Sequence, residues 1–101
     1  METGSYLLVG TDKAMDETFG STCHGSGRTM SRTKAKHMFR GDQLLRDMEK
    51  RGIYVKSVSL GGVAEEAGPA YKDIDEVIES VHLAGISKKV VALKPIGNVK
   101  G

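Results

Sequence analysis

The stretch SYLLVGTDKAMDETFG, residues 5–20, decides the fold class, because two different periodicities meet in it. Residues 5–10 are short, apolar and β-prone and stop at Gly10, which reads as a buried strand. Thr11 can then cap a helix over 12–19, with Asp12 set against the positive end of its dipole. Met15 and Phe19 stand one turn apart and are expected to form the core-facing edge, with Gly20 as the stop. Strands and helices continue to mix downstream. Ser31 can cap a helix over 32–39, and GDQLLRDMEKRG (41–52) puts Leu44, Leu45 and Met48 on one face before Gly52 ends it. IYVKSVS (53–59) alternates Ile53, Val55 and Ser57 against Tyr54, Lys56 and Val58, as a strand does. GGVAEEAGPAY (61–71) reads as a short helix or turn with a Gly-Pro break. KDIDEVIESVHLAG (72–85) is the clearest helix, with Ile74, Val77, Ile78 and Val81 at i, i+3, i+4 and i+7 and Gly85 closing it. KKVVALKPIGNVKG (88–101) reads as a strand interrupted by Pro95, then a tail. The sum is an α+β fold of short strands and several helices. Such short pieces bury little on their own, so the chain is expected to be incomplete as a single domain.

Composition narrows the class. With 101 residues, 39% hydrophobic and 28% charged, the chain fits one small globular domain or part of a larger one. It has no apolar run of membrane-spanning length and no basic-then-apolar signal peptide, and the first strand is expected to follow directly, without a leader. A single Cys23 excludes an intramolecular disulfide and a cysteine-based zinc site, and a reducing cytoplasmic setting is expected. The net charge of +2 is unevenly spread. Arg28, Arg32, Lys34, Lys36 and Arg40 fall in a run without Asp or Glu, either an electrostatic footprint for phosphates or a solvated helix face.

GSTCHGSGR, residues 20–28, holds the most reactive side chain in a segment that favours neither helix nor strand. His24, His37, His82 and Cys23 match no metal-ligand spacing, so no metal site is expected within the chain. No nucleophile elbow for acyl transfer is present. Attack on phosphorus remains, and it requires an exposed imidazole, small neighbours and cations to balance developing charge. His24 is followed by Gly25, Ser26 and Gly27; the two glycines permit close backbone approach and unusual dihedrals, and their N–H groups could cradle phosphate oxygens. Arg28 can grip phosphate in a bidentate manner. An ordinary polar loop beside a glycine turn fits the same residues, and the residues alone leave both readings open.

The segment GSYLLVGTDKAMDETFGSTCHGSGRTMSRTKAK closely resembles the RtcB family of GTP-dependent RNA-splicing ligases. The resemblance continues through GVAEEA, AYKDIDEVIESVHLAGISKKVVALKPIG and the final VKG, in register from Ser5 to Gly101. It implies that residues 1–101 are the C-terminal, catalytic-histidine and guanosine-binding segment of a larger α+β enzyme. That enzyme joins RNA ends bearing a 3′-phosphate or 2′,3′-cyclic phosphate, such as tRNA halves, to 5′-hydroxyl ends, using GTP and manganese. By the resemblance His24, in H-G-x-G-R, is the nucleophile that carries GMP. Ser5, Gly25, Ser26, Gly27, Tyr71 and Lys100 would bind the nucleotide, Tyr71 by stacking on guanine and Lys100 by contacting it. Arg28, Arg32, Lys34 and Lys36 would face phosphates and the RNA backbone. His37, His82 and Cys23 match no role.

The resemblance also implies what this chain lacks. The family's manganese ligands belong to a preceding N-terminal part, so the isolated chain is expected to be inactive and to need a complementary N-terminal chain, with the activating protein archease as a further partner. Three departures stand out: Glu2 replaces a glycine near the expected nucleotide pocket, Ser26 replaces an alanine, and the proline of EEAGPAY is shifted. The alternative is a non-catalytic RNA- or nucleotide-binding module, or an inactive remnant.

Overall fold

The computed structural model describes residues 1–101. In chain order the elements are β1 (Ser5–Gly10), α1 (Asp12–Thr18), α2 (Arg32–Met38), α3 (Gly41–Lys50), β2 (Tyr54–Ser57), α4 (Leu60–Glu65), a 3₁₀ turn (Gly68–Ala70), α5 (Ile74–Leu83), β3 (Ser87–Leu93) and β4 (Gly97–Lys100). The α+β expectation holds. The elements divide into two compact units.

The first unit comprises Met1–Thr3, Arg28–Tyr71 and Pro95–Gly101. Its core is Met48, Ile53 and Val63, with Leu44, Leu45, Val55 and Met1 packed against it. This is the face that the helical spacing of α3 and the alternation of β2 dictate. β2 and β4 pair in parallel, Tyr54 opposite Gly97 through Ser57 opposite Lys100. Ser31 caps α2 by accepting from the Lys34 N–H at 3.1 Å. α3 and α4 approach so closely that Gly41 leaves no room for a side chain: a Cβ there would lie 2.1 Å from the Leu60 carbonyl oxygen. Glu2 is built into this unit. Its carboxylate accepts from the Gly68 N–H at 2.7 Å and from Arg51 Nη2 at 2.6 Å, anchoring the turn that delivers Tyr71.

The second unit comprises Gly4–Gly27 and Lys72–Lys94. β1 and β3 pair antiparallel, with an irregularity between Leu7 and Leu8. α5 buries Ile78, as its periodicity requires. Thr11 caps α1 by accepting from the Ala14 N–H at 3.1 Å, and its hydroxyl donates to the Gly85 carbonyl at 2.6 Å.

Three expectations are corrected. β1 is not a buried strand: Leu7 and Val9 are 55% and 51% exposed, because a two-stranded sheet leaves that face without a covering layer. Met15 and Phe19 are not the inner edge of α1, being 64% and 94% exposed. Ala14 is buried instead, and Phe19 is the left-handed C-cap residue, with φ of 54°. Residues 88–101 are not one strand and a tail. Pro95 separates β3, which pairs with β1, from β4, which pairs with β2, so Lys100 closes a strand.

Candidate functional site

The loop carrying His24 belongs to the second unit and is tied at both ends. Ser87 Oγ donates to Thr22 Oγ1 at 2.9 Å, and the Lys72 N–H donates to the Gly27 carbonyl at 2.8 Å. Between those ties His24 is exposed and its imidazole engages no hydrogen bond. Cys23 beside it is half-buried and free. Gly25 and Gly27 do not adopt left-handed backbone, which removes unusual dihedrals as the reason for glycine there. A Cβ at either would meet nothing within 4 Å. What these glycines provide is bare, open backbone, which a phosphate can approach. Ser5 lies in the same unit, exposed at the start of β1.

In the first unit Arg28, Arg32, Lys36, Tyr71 and Lys100 are drawn together by two carboxylates that close α4, Glu65 and Glu66. Tyr71 donates its hydroxyl to Glu66 Oε2 at 2.6 Å and accepts from Arg28 Nη1 at 2.8 Å. The Arg28 guanidinium also lies 4.7 Å from the Tyr71 ring centroid, a cation–π distance. Its Nη2 donates to the Glu65 carbonyl at 2.6 Å and its Nε to the Met30 carbonyl at 3.0 Å. Lys100 Nζ stands 3.6 Å from Glu66 Oε2, and Arg28 Nη1 is 3.5 Å from Glu66 Oε1. Glu65 pairs with Lys36 Nζ at 2.6 Å and Arg32 Nε at 3.4 Å. Lys34, on α2, pairs with no carboxylate.

The charges tune one another. Burial alone would raise the Glu66 pKa, but the Tyr71 hydrogen bond and the Lys100 and Arg28 charges outweigh it and hold the carboxyl below its ordinary value. Burial, then the Glu66 hydrogen bond and charge, push the Tyr71 hydroxyl above its ordinary value, against the opposing pull of Arg28. The two shifts keep Glu66 a carboxylate and Tyr71 a neutral phenol at neutral pH.

Glu65 and Glu66 were not among the sequence candidates. The signal was there: from Ser57 to Tyr71 the only charged residues are these two acids, while the run from Arg28 to Arg40 is wholly basic. No three His, Cys, Asp or Glu side chains cluster so as to hold a metal ion, so these residues do not fit a manganese site. No helix is long and apolar enough to cross a membrane.

A family model described as "tRNA-splicing ligase RtcB" matches residues 1–101. Among curated proteins, the chain is 62% identical over 101 residues to a tRNA-splicing ligase RtcB of Methanopyrus kandleri, covering 100% of this chain and 10% of that protein. It is 56% identical over 101 residues to the protein of the same name from Archaeoglobus fulgidus, covering 100% of this chain and 21% of that protein. A third, from Pyrococcus horikoshii, is 52% identical over 101 residues, with 100% and 12% covered. The chain thus spans about a tenth to a fifth of the length of the curated relatives it matches.

Proposed function

The chain belongs to the tRNA-splicing ligase RtcB family, and from that premise we propose that it is the guanylyl-carrying segment of an RNA ligase. The observation that carries the proposal is the whole-length match, which runs without interruption through the bare histidine loop and the Glu66 cluster alike. In this reading His24 attacks the α-phosphorus of GTP. A nitrogen–phosphorus bond forms, the bond to the pyrophosphate oxygen breaks, and Gly25 and Gly27 leave the approach clear. His24 then yields GMP to an RNA 3′-phosphate, and a 5′-hydroxyl displaces GMP to seal the strand. Ser5, Ser26, Tyr71 and Lys100 bind the nucleotide, with the base stacking on the Tyr71 face away from Arg28. Arg28, Arg32, Lys34 and Lys36 meet RNA phosphates. This chain holds no ligand set for manganese, so that requirement falls to a complementary N-terminal body; archease is a further partner and the cytoplasm the place of action.

The test is strand sealing by the chain mixed with an RtcB body lacking this segment, using RNA halves with 3′-phosphate and 5′-hydroxyl ends. Sealing that is lost with His24→Ala, while RNA affinity is unchanged, supports the proposal. Sealing by neither protein, with RNA bound all the same, replaces it with the non-catalytic binding module.

A further inference from the structure

Glu66 has more partners than its place in the chain requires. α4 ends at Glu65, and the Glu66 backbone N–H already satisfies the helix by donating to the Val63 carbonyl at 3.1 Å. The side chain is free of any capping duty, yet it collects a phenol, a guanidinium and an ammonium from three separate stretches of chain. Tyr71 follows the 3₁₀ turn, Arg28 opens the basic run, and Lys100 ends β4. The carboxylate is only 20% exposed, and its two oxygens offer four acceptor positions.

We propose that Glu66 is the positioning residue of the nucleotide-base subsite: it fixes the Tyr71 ring and the Lys100 ammonium in one arrangement and so sets the preference for a base with acceptors on its edge. The inference rests on the proposed function, which assigns base contacts to Tyr71 and Lys100. The chemistry of the three partners carries it further. A lysine is a flexible point charge that loses side-chain entropy when it is held in place. Glu66 has already drawn Lys100 to 3.6 Å, so the ammonium is confined before any ligand arrives. Tyr71 is a ring on two rotatable bonds, and the 2.6 Å hydrogen bond from its hydroxyl fixes the plane on which a base would stack. A fixed ammonium has donors and no acceptor. It favours guanine, which presents O6 and N7 acceptors on its edge, over adenine, which presents an amino donor where guanine has O6. Arg28 holds the other side of the same arrangement, through the Tyr71 oxygen and the ring face.

The test measures GMP attachment to the chain, mixed with the complementary body, across a range of GTP and of ATP concentrations. Glu66→Gln is expected to raise the half-saturating GTP concentration about tenfold, the scale of one charge-assisted hydrogen bond. The rate at saturating GTP should stay within about twofold, and the GTP-over-ATP preference should narrow. Tyr71→Phe keeps the ring and removes the hydroxyl. Combined with Glu66→Gln it should cost less than the two single changes added together, because both break one link. A merely structural role would lower the amount of competent protein without moving the half-saturating concentration or the base preference. Wild-type attachment with both quantities unmoved in Glu66→Gln overturns this inference and leaves the proposed function standing. No attachment on the wild-type chain overturns the proposed function and the inference with it.

Discussion

Gly41→Ala joins the fold to the site. A Cβ at position 41 would stand 2.1 Å from the Leu60 carbonyl oxygen and 2.8 Å from its carbon. Ordinary contact needs roughly 1 Å more, and the obstacle is backbone, which cannot swing aside as a side-chain tip can. Overpacking costs typically 1–3 kcal/mol, and a backbone clash belongs at the upper end, about 3 kcal/mol. Alanine recovers up to about 1 kcal/mol of helix propensity at this first position of α3. The net loss is about 2 kcal/mol, or roughly 8–16 °C in Tm for a domain of this size. The displaced element is α4, which carries Glu65 and leads into Glu66, so the Tyr71 hydrogen bond should loosen with it. Thermal and urea unfolding followed by circular dichroism give the stability loss, and an ultraviolet titration of the Tyr71 phenol, which burial and the Glu66 hydrogen bond hold above its ordinary value, reports the loosening as a downward shift. A Tm within about 2 °C of wild type would refute the claim that α3 and α4 are wedged at Gly41.

Gly25→Ala makes the opposite case: its Cβ meets nothing, so stability should stay within about 0.5 kcal/mol in the same unfolding experiments. GMP attachment should nevertheless fall at least about tenfold if phosphate passes over this backbone. For pH, Glu66 is held below its ordinary value of 4.5, so its stabilising contribution is present above about 4.5 and lost as pH falls through the folded value. Tyr71 is held above 10.0, so its contribution is present below about 10 and lost as pH rises. Denaturation midpoints across pH should therefore drop at both ends. Glu66→Gln should flatten the acid limb and Tyr71→Phe the alkaline one; exposed Asp42 and Glu79 add little to the acid limb. Because Glu65 already neutralises Lys36 and leaves Lys34 alone, Lys34→Ala should reduce the salt slope of RNA binding at least as much as Lys36→Ala, read by binding across a salt series.

The elements legible in the sequence are those whose pattern is local. The caps at Thr11 and Ser31, the inner face of α3 and the alternation of β2 depend on neighbours a few residues away, and each forms as expected. The failures are long-range. Whether β1 is buried depends on a layer over its outer face, which no pattern within residues 5–10 encodes. The inner edge of α1 is set by small Ala14 rather than by Met15 or Phe19, because the helix packs closely where its side chain is shortest. Lys100 gains a place only when β4 pairs with a strand 43 residues upstream, Ser57 opposite Lys100. The histidine loop stands out as a segment favouring neither helix nor strand, and the structure leaves it without either, with His24 exposed. Glu65 and Glu66 stand out as the lone charges of their stretch, but which cations they pair with was not legible, because their partners lie 29 to 38 residues before them and 5 to 34 after.

The most direct measurement is the intact mass of the chain after incubation with GTP and manganese, alone and mixed with an RtcB body lacking this segment. One added GMP is expected in the mixture, mapped to His24, and none on the chain alone or on His24→Ala. An unmodified chain in the mixture, or GMP on any residue other than His24, would contradict it.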